Sequence, residues 1–155
     1  MVSLIGVAAL APLSGCAATP GVTFDRAAYD RYVRLMNAGD PAFAEYYADD
    51  IKFEMNIRGK RGVLDFYSRQ WQFMKETLEV VFFCSDVAGA AAEVRSELRC
   101  IQDYDDTTTF GRALKAGEVQ RVRGYVLYVL NAHDLISEVR GPPPEVLQPW
   151  HVEAA

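Results

Sequence analysis

No charged side chain occurs in the first 24 residues, and no Lys or Arg precedes Arg26. Met1 to Phe24 is therefore a different kind of sequence from the body of the chain. Its apolar run, Val2 to Leu13, is too short for a membrane span and has the length of a signal-peptide core. Histidine and cysteine are scarce, with two His and three Cys. There is no CxxC or Cys/His spacing, and His133 and His151 stand in unrelated contexts, so the sequence implies neither a metal site nor a cofactor. Basic charge is not in surplus: 16 Lys and Arg against 21 Asp and Glu leave a net charge of -5. That balance gives no reason to approach nucleic acid or an anionic membrane surface. Repeats are absent, and the only low-complexity segment is the proline run at 142–144.

What is present suits one domain with a well-filled interior. The 155 residues are 50% hydrophobic and 12% aromatic, enough to enclose a core and a modest cavity without metals or disulfides. The organising stretch is Arg31 to Ile57. Tyr29, Tyr32, Val33 and Met36 recur at helical spacing and predict a first helix over Phe24–Asn37, capped by Thr23 or Asp25. Gly39 ends it, Asp40 caps the next helix, and Pro41 occupies its first turn. That second helix is expected over Ala42–Ala48. After Asp49-Asp50 the period becomes two, with Ile51, Phe53, Met55 and Ile57 on one side of a strand and Lys52, Glu54 and Asn56 on the other.

Arg58 to Gly62 reads as a turn into a third helix, Val63–Lys75, with Phe66, Tyr67 and Trp71 on its inner face. Strands follow at Leu78–Ser85, Glu93–Gln102, Glu118–Leu130 and Leu135–Arg140. In the second of these, Val94, Ser96, Leu98 and Cys100 alternate with charged residues that face solvent and meet opposite charges across the sheet. Arg121 and Arg123 face outward in the same way. Asp103 to Ala116 lacks the glycine and distal glutamate of a calcium loop and reads as a solvated loop between strands. Gly141 and the prolines end regular structure, leaving 145–155 as a tail whose Leu147 and Trp150 can fold back. Cys84 and Cys100, on separate strands and out of disulfide reach of each other, are expected reduced and buried.

The "NAGD" break, the "ADD" turn and the alternating strand resemble the SnoaL-like polyketide cyclases, the ketosteroid isomerases and their relatives in the nuclear transport factor 2-like superfamily. The resemblance covers roughly Asp25 to Pro144. It implies an α+β fold, a cone-shaped roll in which a curved mixed or antiparallel sheet wraps around three N-terminal helices, with a small molecule in the hollow. It also implies that the outer sheet face, bearing Arg95, Glu97, Arg121 and Tyr125, is either solvated or pairs in a homodimer.

Carried over residue by residue, the resemblance makes Tyr32 the group presented to a ligand oxygen, with Tyr47 and Tyr67 in the same tyrosine network. A buried chain of phenols polarises itself and strengthens the terminal donor. The two catalytic aspartates of the isomerases fall on Met55 and Val126. Without a positioned base, enolisation loses a factor of roughly 10² to 10⁴. On a regular strand Glu54 and Asn56 point away from Met55, and only a bulge would bring one inside. His133 beside Asp134 sits in a hairpin turn with no nucleophile nearby. The interior therefore reads as Tyr32, Met36, Tyr47, Phe53, Met55, Tyr67, Trp71, Val126, Tyr128 and Val139, suited to a flat apolar ligand with one or two oxygens.

Two functions stay open. One is an isomerase, cyclase or dehydratase working through tyrosine donors on an oxygenated apolar substrate. The other is a non-catalytic ligand-binding or dimeric assembly module of the same fold. For the N-terminal end, Leu13-Ser14-Gly15-Cys16 resembles the lipobox of bacterial lipoproteins. That resemblance implies a leader over 1–22, lipidation of Cys16 and a membrane anchor outside the cytoplasm. The absence of a basic n-region keeps the rival reading, a disordered or helical leader on a cytoplasmic protein, open.

Overall fold

The computed structural model describes residues 23–108 and 110–153. The leader, the lipidation of Cys16 and the side chain of Met55 lie outside the described residues. Helix α1, Arg26–Ala38, is capped by the Asp25 carboxylate, which accepts from the Ala28 amide at 2.8 Å. It stops at Gly39, whose φ of 66° lets the Asp40 amide return to the Leu35 carbonyl at 2.9 Å. Asp40 then caps a 3₁₀ helix, Pro41–Tyr46, through the Ala42 amide. This segment, expected as an α-helix, is tighter and shorter because Tyr47 already adopts extended backbone.

Strand β1 is Tyr47–Lys52, earlier and shorter than the alternation predicts. After Phe53 the chain makes a 3₁₀ turn at Glu54–Asn56, closed by bonds between Phe53 and Ile57 (3.0 Å) and between Ile57 and Glu54 (3.2 Å). Asn56 carries the turn with φ 61°, a left-handed conformation that Asn tolerates better than most side chains. The expected alternation of 51–57 is thus broken. Helix α2, Gly59–Phe73, begins after Ile57 and Arg58, four residues ahead of expectation, so that Gly59 to Gly62 are helical.

Strands β2 (Met74–Ser85), β3 (Gly89–Cys100), β4 (Glu118–Leu130), β5 (Ile136–Arg140) and β6 (Glu145–Val152) complete a six-stranded mixed sheet. Its order is β1-β5-β4-β3-β2, with β1 parallel to β5 and every other pair antiparallel. The sheet does not close on itself. Strand β4 is central: β3 covers one side along its length, while β5 takes Leu127 to Leu130 and β6 takes Glu118 to Arg123 on the other. The segment beyond the prolines, expected as an irregular tail, is therefore a strand. Pro149 is accommodated because, among the described residues, β6 pairs with β4 alone.

The inner face buries Ala92, Val94, Ser96, Val122 and Tyr128 against α1 and the 3₁₀ helix, whose Tyr29, Phe43 and neighbouring Tyr47 are almost wholly enclosed. A smaller core gathers Met74, Cys100 and Leu114 under Phe73, Phe110 and Trp150. Cys100 is a free buried thiol, as expected, whereas Cys84 is disulfide-bonded and not to Cys100, which corrects the expectation that both are reduced. On the outer face Arg121 pairs with Glu97 and Glu153, Arg99 with the same two carboxylates, and Arg123 with Glu93 and Glu145. No helix among the described residues is long and apolar enough to cross a membrane.

Candidate active site

Between α1, α2 and the inner face of the sheet lies a cavity of about 330 Å³. Its position follows from the chain: α1 contributes Tyr29, Tyr32 and Met36 at spacings of three and four, and α2 contributes Phe66, Tyr67 and Gln70 on the same rule. The sheet supplies alternate residues of β2, β3 and β4. Of the residues expected to line it, Tyr32, Met36, Phe53, Tyr67, Val126, Tyr128 and Val139 do so.

Two expected residues stand behind the wall. Tyr47 is fully buried, and its hydroxyl reaches that of Tyr32 at 2.7 Å, so it touches the cavity only through its neighbour. Trp71 sits against Gly39 at the end of α1, 5.7 Å between ring centroids from Phe43 and 5.8 Å from Tyr67, and fills the helix-side core. A second phenol pair, Tyr29 with Tyr128, is 3.3 Å apart. Burial pushes the phenols of Tyr32, Tyr47, Tyr67 and Tyr128 well above the ordinary tyrosine value. All four therefore keep their protons at any physiological pH and act as hydrogen-bond donors.

The largest difference from the sequence reading concerns carboxylates. Glu54, placed on the outer face by a regular strand, lines the cavity because the 3₁₀ turn at Glu54–Asn56 reorients it. Its residue is exposed, so it stands at the mouth, where partial burial raises its pKa. Glu76 on β2 also lines the cavity, deeper in. Gln70 donates to it at 3.2 Å, and Ser96 bonds to it from β3. Burial raises the Glu76 pKa, and those two donors oppose the rise. Expecting β2 to begin at Leu78 hid Glu76; the alternation of Met74, Glu76, Leu78 and Val80 places it on the inner face. The signal for Glu54 was Asn56, a residue prone to left-handed turns, immediately before Ile57-Arg58-Gly59.

His133 is exposed in its turn, as expected, with its backbone amide held by the Asn131 side chain. Among the described residues no three His, Cys, Asp or Glu side chains gather as a metal site.

No family model and no curated protein matches the chain in sequence. Solved structures do. A Δ5-3-ketosteroid isomerase from Mycobacterium sp. superposes with a TM-score of 0.56 at 21% identity, over 75% of this chain and 89% of that one. A SnoaL-like polyketide cyclase from Agrobacterium tumefaciens gives a TM-score of 0.59 at 14% identity, covering 72% and 84%. A Mycobacterium tuberculosis protein in complex with estradiol-17β-hemisuccinate gives 0.57 at 20% identity, covering 74% and 89%. The chain has the α+β cone fold of the SnoaL-like polyketide cyclases and ketosteroid isomerases.

Proposed function

We propose that the cavity takes a flat, oxygenated, apolar small molecule and that the protein moves a proton on it, as an isomerase, cyclase or dehydratase. One observation carries this reading: phenol donors and two carboxylates, Glu54 at the mouth and Glu76 on β2, share one cavity of about 330 Å³ whose lining is mostly apolar and aromatic. Tyr32, supported from behind by Tyr47, donates to the substrate oxygen. Glu54 at the mouth accepts the proton from the adjacent carbon, and the electron pair moves to the oxygen that Tyr32 holds. Its raised pKa brings it nearer to a useful general base. Returning the proton to a second carbon isomerises the substrate; expelling a leaving group dehydrates it; attack on a carbonyl closes a ring. The shared fold with polyketide cyclases and a ketosteroid isomerase supports the same class of chemistry.

The test is deuterium exchange at the acidic carbon of 2-tetralone, followed by NMR in heavy water. Exchange above the buffer rate that falls by roughly 10² or more in Glu54→Gln supports the assignment. If 2-tetralone binds but exchanges no faster than in buffer, the non-catalytic binding module replaces it.

A further inference from the structure

Glu76 is a carboxylate in the depth of the cavity with no counter-ion among the described residues. Its hydrogen-bond partners are the neutral side chains of Gln70 and Ser96, and among the described residues no Lys, Arg or His pairs with it. None of the residues lining the cavity is Lys, Arg or His, while two are Glu. Removing an unpaired carboxylate from water costs several kcal/mol, so such a group is normally paired or lost from an apolar interior. Here it is retained: burial favours its neutral form, and Gln70, donating to it from α2, opposes that together with Ser96. The walls around it are aromatic: Tyr29, Tyr32, Phe66, Tyr67 and Tyr128 present ring faces or edges to the same space. Aromatic faces and an unpaired carboxylate attract the same kind of guest, a cation.

We propose that Glu76, Gln70 and Ser96 form a subsite for a protonated amine, so that the ligand is a flat apolar amine rather than a neutral or acidic molecule. The ammonium supplies the missing counter-charge to Glu76, and its remaining N–H groups and methylenes meet the phenol rings. Anionic ligands are excluded, because both carboxylates of the cavity repel them and no lining cation compensates. The inference rests on the reading of the cavity as a ligand pocket and narrows it to one charge class. The substrate's oxygen remains with Tyr32 on α1 and the amine sits with Glu76 on β2, so the ligand carries both groups.

Three probes of one shape separate the possibilities by calorimetric titration of the full chain: 2-naphthylmethylamine, 2-naphthylmethanol and 2-naphthoate. The expected order is amine tightest, by about tenfold over the alcohol, with the carboxylate weakest, since a charge-assisted bond is roughly twice as strong as a neutral one. Glu76→Gln keeps the shape and the bond from Gln70, and should abolish the preference for the amine while leaving alcohol affinity within about threefold. An alcohol that binds as well as the amine in the parent protein overturns the charge assignment and leaves the oxygenated-ligand reading intact. So does a preference for the amine that survives Glu76→Gln. If none of the three probes binds, the pocket reading falls with it.

Discussion

Asn37 on α1 exchanges two hydrogen bonds with the backbone of Leu78 on β2, donating to its carbonyl at 3.0 Å and accepting from its amide at 2.7 Å. Strand β2 is an edge of the sheet, and Leu78 turns both backbone groups away from β3, toward α1. Asn37 thus stands where a neighbouring strand would and blunts that edge. The two residues flank the cavity through Met36 and Leu78, which both line it.

Replacing Asn37 with Ala leaves a half-buried amide and carbonyl without partners. Loss of about 2 kcal/mol of stability is expected, read as a shift in the urea midpoint at unchanged slope. A change below about 0.5 kcal/mol would mean that water replaces the side chain at no cost.

Gly141 is required by close approach rather than by its dihedral. A Cβ there would overlap the Tyr125 carbonyl oxygen and lie 3.4 Å from Oε1 of Glu54. Gly141→Ala should cost about 1–3 kcal/mol in chemical unfolding, as overpacking does. It should also lower exchange of 2-tetralone by displacing Glu54. A variant with parental stability and parental exchange contradicts both expectations.

How legible was all this in the chain? The helix break at Gly39-Asp40-Pro41 and the strand Glu118–Leu130 follow directly from capping chemistry and two-residue alternation, and both stand where expected. The cone and most of its tyrosine lining came from the resemblance that those motifs carry. Three of the misplaced elements share one cause, which is a local conformation overriding periodicity. Tyr47 turns extended at once after the 3₁₀ helix, Asn56 takes a left-handed φ, and Pro149 sits in a strand with a single partner among the described residues. Those irregularities decide where Glu54 points, so Glu54 was the part of the site least readable from alternation, whereas Glu76 lay in an alternation that begins four residues before the expected strand.

Acid and base should act on stability from opposite ends. Glu153 is held down to about 2 by hydrogen bonds from Arg99 and then Arg121, and Glu97 is lowered by Arg99 and Arg121 in turn. A depressed carboxylate contributes stability above its unfolded pKa and loses it as pH falls through the folded value. Glu153→Gln should therefore lower Tm at pH 7, by less as pH falls, and leave it unchanged only below the folded value. Glu76 is the reverse case: burial raises its pKa, the folded state holds its proton more tightly, and stability falls as pH rises through the folded value. Glu76→Gln should raise Tm at pH 8 and match the parent near pH 4. Scanning calorimetry across this range checks both, and a Glu76→Gln variant less stable than the parent at pH 8 would contradict the second.

The tyrosine pair offers the sharpest separation of packing from chemistry. Tyr47 fills the core with no exposed surface, yet its hydroxyl lies 2.7 Å from that of Tyr32, which faces the cavity. Tyr47→Phe keeps the ring, with its edge contacts to Phe43 at 5.7 Å, and removes only the oxygen. If Tyr47 donates to Tyr32, the Tyr32 proton is free for the ligand and is made more acidic by the bond behind it. Affinity for 2-naphthol should then fall about three- to tenfold in Tyr47→Phe and further in Tyr32→Phe, which loses the donor itself. The double variant should bind no more weakly than Tyr32→Phe alone, because Tyr47 acts only through Tyr32. Fluorescence titration of the four proteins tests this; additive losses in the double variant would show that Tyr47 reaches the ligand by another route, and parental affinity in Tyr32→Phe would remove Tyr32 from the site.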